Sequence, residues 1–257
     1  ILFFTSQGRC YKKKGYTIPE AGRSAKGTNI VNILQVESGE KVNFMLHLRD
    51  LEQEGACLFF STRLGTVKRI ELSAIRNIRA SGIRVLSLDE GDELITVSLT
   101  HGEDRVLMLT HDGMSICFEE SDVRVMGRTA VGVRGIRLRE GDYVVDAECI
   151  EGEGTVLTVT ENGYGKRTAL EEYTVQGRGG FGNKGYQVTE KTGKVCAARV
   201  VTGEEDVILI AEDGTAIRFA SDSVSCYSRV TQGVRIMKPA EGVRVLGMAA
   251  TAREEEC

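Results

Sequence analysis

The chain has 257 residues, 41% of them hydrophobic, and a formal net charge of −4. It can bury a core and is long enough for one large domain or two small ones. No apolar run approaches the roughly 20 residues of a membrane helix, so no membrane partner is expected.

The opening Ile1-Leu2-Phe3-Phe4 is too short for a signal peptide's apolar region and has no basic residues before it, which leaves a strand cut at its start. The same kind of run returns at Cys57-Leu58-Phe59-Phe60, Val106-Leu107-Met108-Leu109, Val156-Leu157-Thr158-Val159 and Val207-Ile208-Leu209-Ile210. A turn glycine follows each: Gly8, Gly65, Gly113, Gly163 and Gly214, spaced 57, 48, 50 and 51 residues apart. Arg23, Arg128, Arg178 and Arg229 lie 15 residues after their turn glycines, and Arg79 lies 14 after its own. A second glycine comes next, at Gly27, Gly82, Gly132, Gly182 and Gly233. Landmarks held in phase five times define internal repeats.

Each repeat reads as four strands. The turn glycine closes a hairpin, a long connection carries the arginine and second glycine, and two further strands follow. Two prolines against thirty glycines, with no convincing helical period, fit short strands and glycine turns. The expected fold is all-β: a propeller-like ring of five repeats of four-stranded antiparallel blades. The repeats are bounded at about 1–47, 48–98, 99–148, 149–198 and 199–250, and 251–257 forms an acidic tail. The seven cysteines contain no CxxC pair, and five sit inside apolar runs. They read as small core residues in a reducing cytosol, and His47, His101 and His111 are too scattered to complete a metal site.

Net charge alone argues against nucleic acid, but its distribution argues the other way. The 21 residues after each turn glycine together hold 21 Lys and Arg against 8 Asp and Glu, and the rest of the chain is strongly acidic. Equivalent segments of a ring fall on equivalent surfaces, so the cations should form one basic rim. The candidate DNA-binding residues are Arg9, Lys12, Lys13, Lys14, Arg23, Lys26, Lys68, Arg69, Arg79, Arg128, Arg134, Lys166, Arg167, Arg178, Lys184, Arg218, Arg229 and Arg235. Glu119, Glu120 and Asp122 balance the third segment, where contact should be weakest.

One stretch stands apart: Gln176, Gly177, Arg178, Gly179, Gly180, Phe181 and Gly182, followed by Asn183 and Lys184. It satisfies GxGxxG, but no helix follows and the unit is not βαβ, so a dinucleotide site is a poor reading. A pliant backbone beside Arg178 and Lys184 suits close approach to phosphates. No phased carboxylate pair, nucleophile–histidine pair or metal cluster supports an enzyme on this scaffold.

Gly15-Tyr16-Thr17-Ile18-Pro19-Glu20-Ala21-Gly22-Arg23-Ser24-Ala25-Lys26-Gly27, Gly127-Arg128-Thr129-Ala130-Val131-Gly132-Val133-Arg134-Gly135 and Asn162-Gly163-Tyr164-Gly165-Lys166-Arg167-Thr168 resemble the C-terminal domain of the DNA gyrase A subunit. The resemblance runs from residue 1 to about 250 and implies a β-pinwheel whose blades exchange strands. It implies a domain with no catalytic residues and no cofactor that wraps double-stranded DNA around a basic rim. The parent is an ATP-dependent type II topoisomerase that introduces negative supercoils. Its partners would be the gyrase A N-terminal breakage-reunion core and the gyrase B subunit in an A2B2 holoenzyme. The isolated domain would be a monomer, in the bacterial cytoplasm.

Family members usually have six blades and carry a Gln-basic-Arg-Gly-Gly-basic-Gly box on the first. Here five repeats are counted, and the box-like segment lies in the fourth with Gly177 and Phe181 at its basic positions. DNA contact therefore carries over for Arg178 and the glycines only. The corresponding domain of topoisomerase IV, with weaker bending, and a propeller used for protein binding are the alternative readings.

Overall fold

The computed structural model describes residues 1–22 and 24–253. Each recurrent apolar run becomes a middle strand of an antiparallel sheet. The first repeat contributes β1 (Leu2–Thr5), β2 (Arg9–Lys12) and β3 (Val42–Leu46). The second contributes β4 (Cys57–Thr62), β5 (Thr66–Glu71), β6 (Ile83–Arg84) and β7 (Leu94–Thr100). The third contributes β8 (Arg105–Thr110), β9 (Met114–Glu119), β10 (Val133–Arg134) and β11 (Val144–Ile150). The fourth supplies β12 (Thr155–Thr160), β13 (Tyr164–Ala169), β14 (Asn183–Lys184) and β15 (Val195–Val201). The fifth supplies β16 (Glu205–Ala211), β17 (Ala216–Ala220), β18 (Val234–Arg235) and β19 (Val245–Ala252).

The two-residue strands do not stay with their own repeats. β6 pairs with β2, β10 with β5, β14 with β9 and β18 with β13. The sheets are therefore β3-β1-β2-β6, β10-β5-β4-β7, β11-β8-β9-β14, β15-β12-β13-β18 and β17-β16-β19. Four have the expected four strands. The fifth has three among the described residues; in each of the other sheets one strand comes from the following repeat.

The turn glycines anchor this exchange. Gly163 O accepts from Ile236 N at 2.8 Å and Met237 N at 3.0 Å, and Gly113 O accepts likewise from Gly185 and Tyr186. Gly163 has φ +75°, and a Cβ there would run into the Met237 carbonyl. One position thus requires glycine both for its own turn and for the approach of the next repeat.

The chain folds as two compact units, one of Ile1–Glu103 with Val123–Arg134 and the other of Asp104–Asp122 with the chain from Gly135 onward. The first has a core of Phe4, Leu58, Phe60, Ile70, Leu86 and Val97, in which the Phe4 and Phe60 rings meet edge-on at 5.9 Å. The second has one cluster around Leu107, Val156, Leu170 and Tyr173 and another around Leu157, Val207, Leu209 and Met237. All six residues of β4 are buried, so the run is continuously apolar through Phe60 rather than alternating. Each such Leu or Phe contributes about 1.5–3 kcal/mol. β19 runs to Ala252 and takes the first residues assigned to the tail, and residues 254–257 lie outside the described residues. No described helix is long and apolar enough to cross a membrane.

Candidate nucleic-acid interface

Strand exchange fixes where the cations emerge. The last residue of each exchanged strand is basic and exposed: Arg84, Arg134, Lys184 and Arg235. The loop just before it carries the phased arginine. Arg79 and Arg128 are exposed, and Arg178 and Arg229 are half-buried. Arg23 lies outside the described residues.

In the first unit, Lys12, Arg76, Arg79, Arg84 and Arg128 line one open groove of about 650 Å³ with Asn77, Ser81 and Thr129. No carboxylate lines it, although Arg76 also pairs with Glu52 at 3.2 Å. Arg76 and Arg84 were not among the candidates; the signal for Arg84 was a basic residue two places after the second glycine. Lys14 and Lys26 are exposed and Lys13 is half-buried. Lys14 sits over the Tyr16 ring at 5.6 Å.

Five candidates are turned to other partners. Lys68 is fully buried, and its ammonium donates to the carbonyls of Val85 at 2.8 Å, Arg128 at 2.6 Å and Ala130 at 2.8 Å. Lys166 is likewise buried and donates to Ser228 O at 2.7 Å and to Arg229 O. Both occupy the third position after their turn glycine, and both clamp the arginine loop of the following repeat. Burial pulls each ammonium down to about 8, against the carbonyls that favour its charged form. Neither presents charge to a phosphate: the hydrophilic residue that marked them as contacts serves the loop instead.

Arg9 pairs with Glu37 at 3.1 Å and Glu40 at 3.8 Å, and Arg218 pairs with Asp206 at 2.8 Å. Arg167 donates through Nε to Val224 O at 2.6 Å and through Nη2 to Asp222 O at 3.2 Å. These three cations are neutralised or held by their own fold. Arg69 is half-buried, and its carbonyl accepts from Met126 N at 2.8 Å. Arg235 stays exposed while donating to Tyr164 Oη at 2.8 Å. In the third segment Glu120 is fully buried, so its carboxylate adds less surface acid than the sequence suggests.

The glycine-rich segment is pinned at both ends. Gln176 N donates to Cys117 O at 2.8 Å, Gly179 N to Gly135 O at 2.6 Å and Arg137 N to Gly180 O at 2.7 Å. Arg178 Nε donates to Asp122 O at 3.0 Å. Gly182 has φ +68°, and a Cβ there would strike the Ser115 carbonyl on β9. Gly177 has open space where a side chain would stand, and Phe181 is 47% exposed.

A strand-exchanging, all-β repeat protein with a cation on every exchanged strand defines the class. The chain belongs to the DNA gyrase C-terminal domain, beta-propeller, family, whose model matches residues 1–48, 58–101, 104–151, 154–202 and 205–252. It is 52% identical over 256 residues to the DNA gyrase A subunit of Halalkalibacterium halodurans, covering 100% of this chain and 31% of that protein. It is 57% identical over 238 residues to the DNA gyrase A subunit of Streptococcus pyogenes serotype M1, covering 93% of this chain and 29% of that protein. The chain thus spans under a third of the length of these curated relatives. Among solved structures, a DNA gyrase A C-terminal domain matches with TM-score 0.84 at 24% identity, covering 97% of this chain and 81% of that one. The C-terminal domain of a DNA topoisomerase IV matches with TM-score 0.89 at 24% identity, covering 98% of this chain and 78% of that one.

Proposed function

We propose that this chain binds duplex DNA along its cationic loops and bends it, as a non-catalytic domain of a DNA gyrase A subunit. The carrying observation is the carboxylate-free groove of Lys12, Arg76, Arg79, Arg84 and Arg128, together with the basic residue repeated on each exchanged strand. Guanidinium and ammonium groups held on short strands suit the regularly spaced phosphates of a duplex. Bending a 20–30 bp site by 40–90° costs about 1–6 kcal/mol, which contacts repeated along the path offset. Few side chains suit base-edge readout, so preference among sequences follows deformability.

In the parent enzyme the wrapped segment presents a positive crossover to the breakage-reunion core, and the ATP-driven A2B2 assembly with the B subunit converts it into negative supercoils. The domain needs no cofactor, works as a monomer within the gyrase A polypeptide, and acts in the bacterial cytoplasm.

Retention of a linear duplex across a salt series tests this. With on the order of 8 phosphate contacts, log K falls with log salt at a slope near −7. Absence of retention at low salt overturns the proposal. Relaxed plasmid closed by a topoisomerase in the presence of the chain separates wrapping from simple binding. A topoisomerase IV-type domain would shift linking number less; curated gyrase relatives at 52% and 57% identity favour the gyrase reading.

A further inference from the structure

Of fifteen aromatic residues, all described, three are exposed: Tyr16, Phe181 and Tyr227. All three lie in the basic segments that follow the turn glycines. A ring left in solvent amid cations, in a chain that buries most of its other rings, points to a contact with nucleobases.

Phe181 is the sharpest case because it has no polar atom to justify its exposure. Its loop is not slack. The backbone at 176, 179 and 180 is hydrogen-bonded to Cys117, Gly135 and Arg137. The ring therefore stands on a fixed base. The guanidinium of Arg137 lies 5.3 Å from the ring centroid, and Lys184 is exposed three residues on. Gly177, Gly179, Gly180 and Gly182 surround it with residues that carry no side chain, so a DNA backbone can come close enough for the ring to reach past the sugars.

We infer that Phe181 is a wedge that enters a base step of the bound duplex from the minor groove and kinks it. The inference rests on the proposed DNA-binding function and adds a bending element to it. Apolar side chains inserted between base pairs unstack them and bend the duplex toward the major groove. Pyrimidine–purine steps open most readily, so the ring should settle at TA or CA steps. Arg137 and Lys184 would hold the flanking phosphates.

The test uses the chain bound to a duplex with a single central TA step, labelled at both ends for energy transfer and probed with permanganate, which oxidises unstacked thymine. The unsubstituted chain should bring the ends closer and make the thymines of that step, one on each strand, several-fold more reactive than in free DNA. Phe181→Ala should abolish the thymine reactivity and reduce the bend, with the salt slope unchanged because no phosphate contact is removed. Phe181→Leu should keep most of both effects. Since the ring is on the surface, equal melting temperatures for the variants exclude misfolding. Unchanged reactivity and bend in Phe181→Ala overturn the wedge while leaving DNA binding intact. Tighter, Phe181-dependent binding to a bubble than to the closed duplex overturns it in favour of stacking on an unpaired base. Failure of the unsubstituted chain to retain any DNA overturns the binding reading itself, before the variants are compared.

Discussion

The arginine loops of the third and fifth repeats are held differently from that of the fourth. Under Arg128 and Arg229 lie the buried lysines of the preceding repeats, Lys68 and Lys166, whose ammonium groups are capped by loop carbonyls. Under Arg178 the equivalent position, the third after the turn glycine, is Ile116, fully buried and apolar. That loop is held through the backbone of Gly179 and Gly180 instead, while the close seat of Gly182 on the Ser115 carbonyl is shared with Gly132 on Val67 and Gly233 on Gly165. In the first repeat the same position is Tyr11, whose hydroxyl donates to Glu40 at 3.0 Å. One structural slot thus holds a cation, a phenol or an aliphatic group.

The largest expected effect comes from removing a clamp. Lys68→Met leaves three carbonyls without their donor and should cost about 2–3 kcal/mol of stability in the first unit, read by chemical denaturation. DNA affinity should fall with it, because Arg128 loses its support. A neutral result would put the two loop types on the same footing.

Gly182→Ala breaks the glycine seat of the fourth repeat's loop. The new methyl meets a backbone carbonyl at a positive φ, and about 1–3 kcal/mol of destabilisation is expected, with the loss confined to the second unit in hydrogen exchange. The lysine-clamped loops should be indifferent to it.

Arg79→Ala and Arg128→Ala sharpen the contrast between a cation that meets DNA and one that does not. Both side chains are exposed on the groove, so stability should change by less than about 0.5 kcal/mol. The salt slope of DNA binding should shrink by roughly one for each substitution. Lys68→Met, by contrast, should lower affinity without removing a phosphate contact.

Both clamps also respond to pH. Folded Lys68 and Lys166 lose their protons near pH 8, while in the unfolded chain they hold them to about 10.5. Between these values the unfolded state binds more protons, so the contribution of these two groups makes stability rise with pH across that window. Comparing denaturation curves at about pH 7.5 and about pH 9.5 for the chain and for Lys68→Met/Lys166→Met should isolate it: the rise belongs to the unsubstituted chain and flattens in the variant.

Much of the fold was legible from residue order. Five apolar runs, five turn glycines and, in four repeats, a second glycine at nearly constant offset correspond to five middle strands, five hairpins and the approach of four exchanged strands. The exchange itself was implied by the family resemblance and not by the spacing. A two-residue strand such as Ile83-Arg84 has the same local pattern whichever sheet takes it. The candidate interface was legible as a set of segments and less so residue by residue. Arg79, Arg128, Arg134, Lys184 and Arg235 emerge to solvent. Lys68 and Lys166 do not, and Arg9 and Arg218 are in ion pairs with Glu37 and Asp206.

The amino-acid sequence by itself determined the repeat, the strand positions and the segments that hold the positive charge, because these follow from short-range patterns of apolar residues and backbone-permissive glycines. Tertiary structure alone decided which cations face solvent. The fate of Lys68 depends on carbonyls at Arg128 and Ala130, 60 and 62 residues away, that exist as partners only once the third repeat has lent its strand to the second sheet.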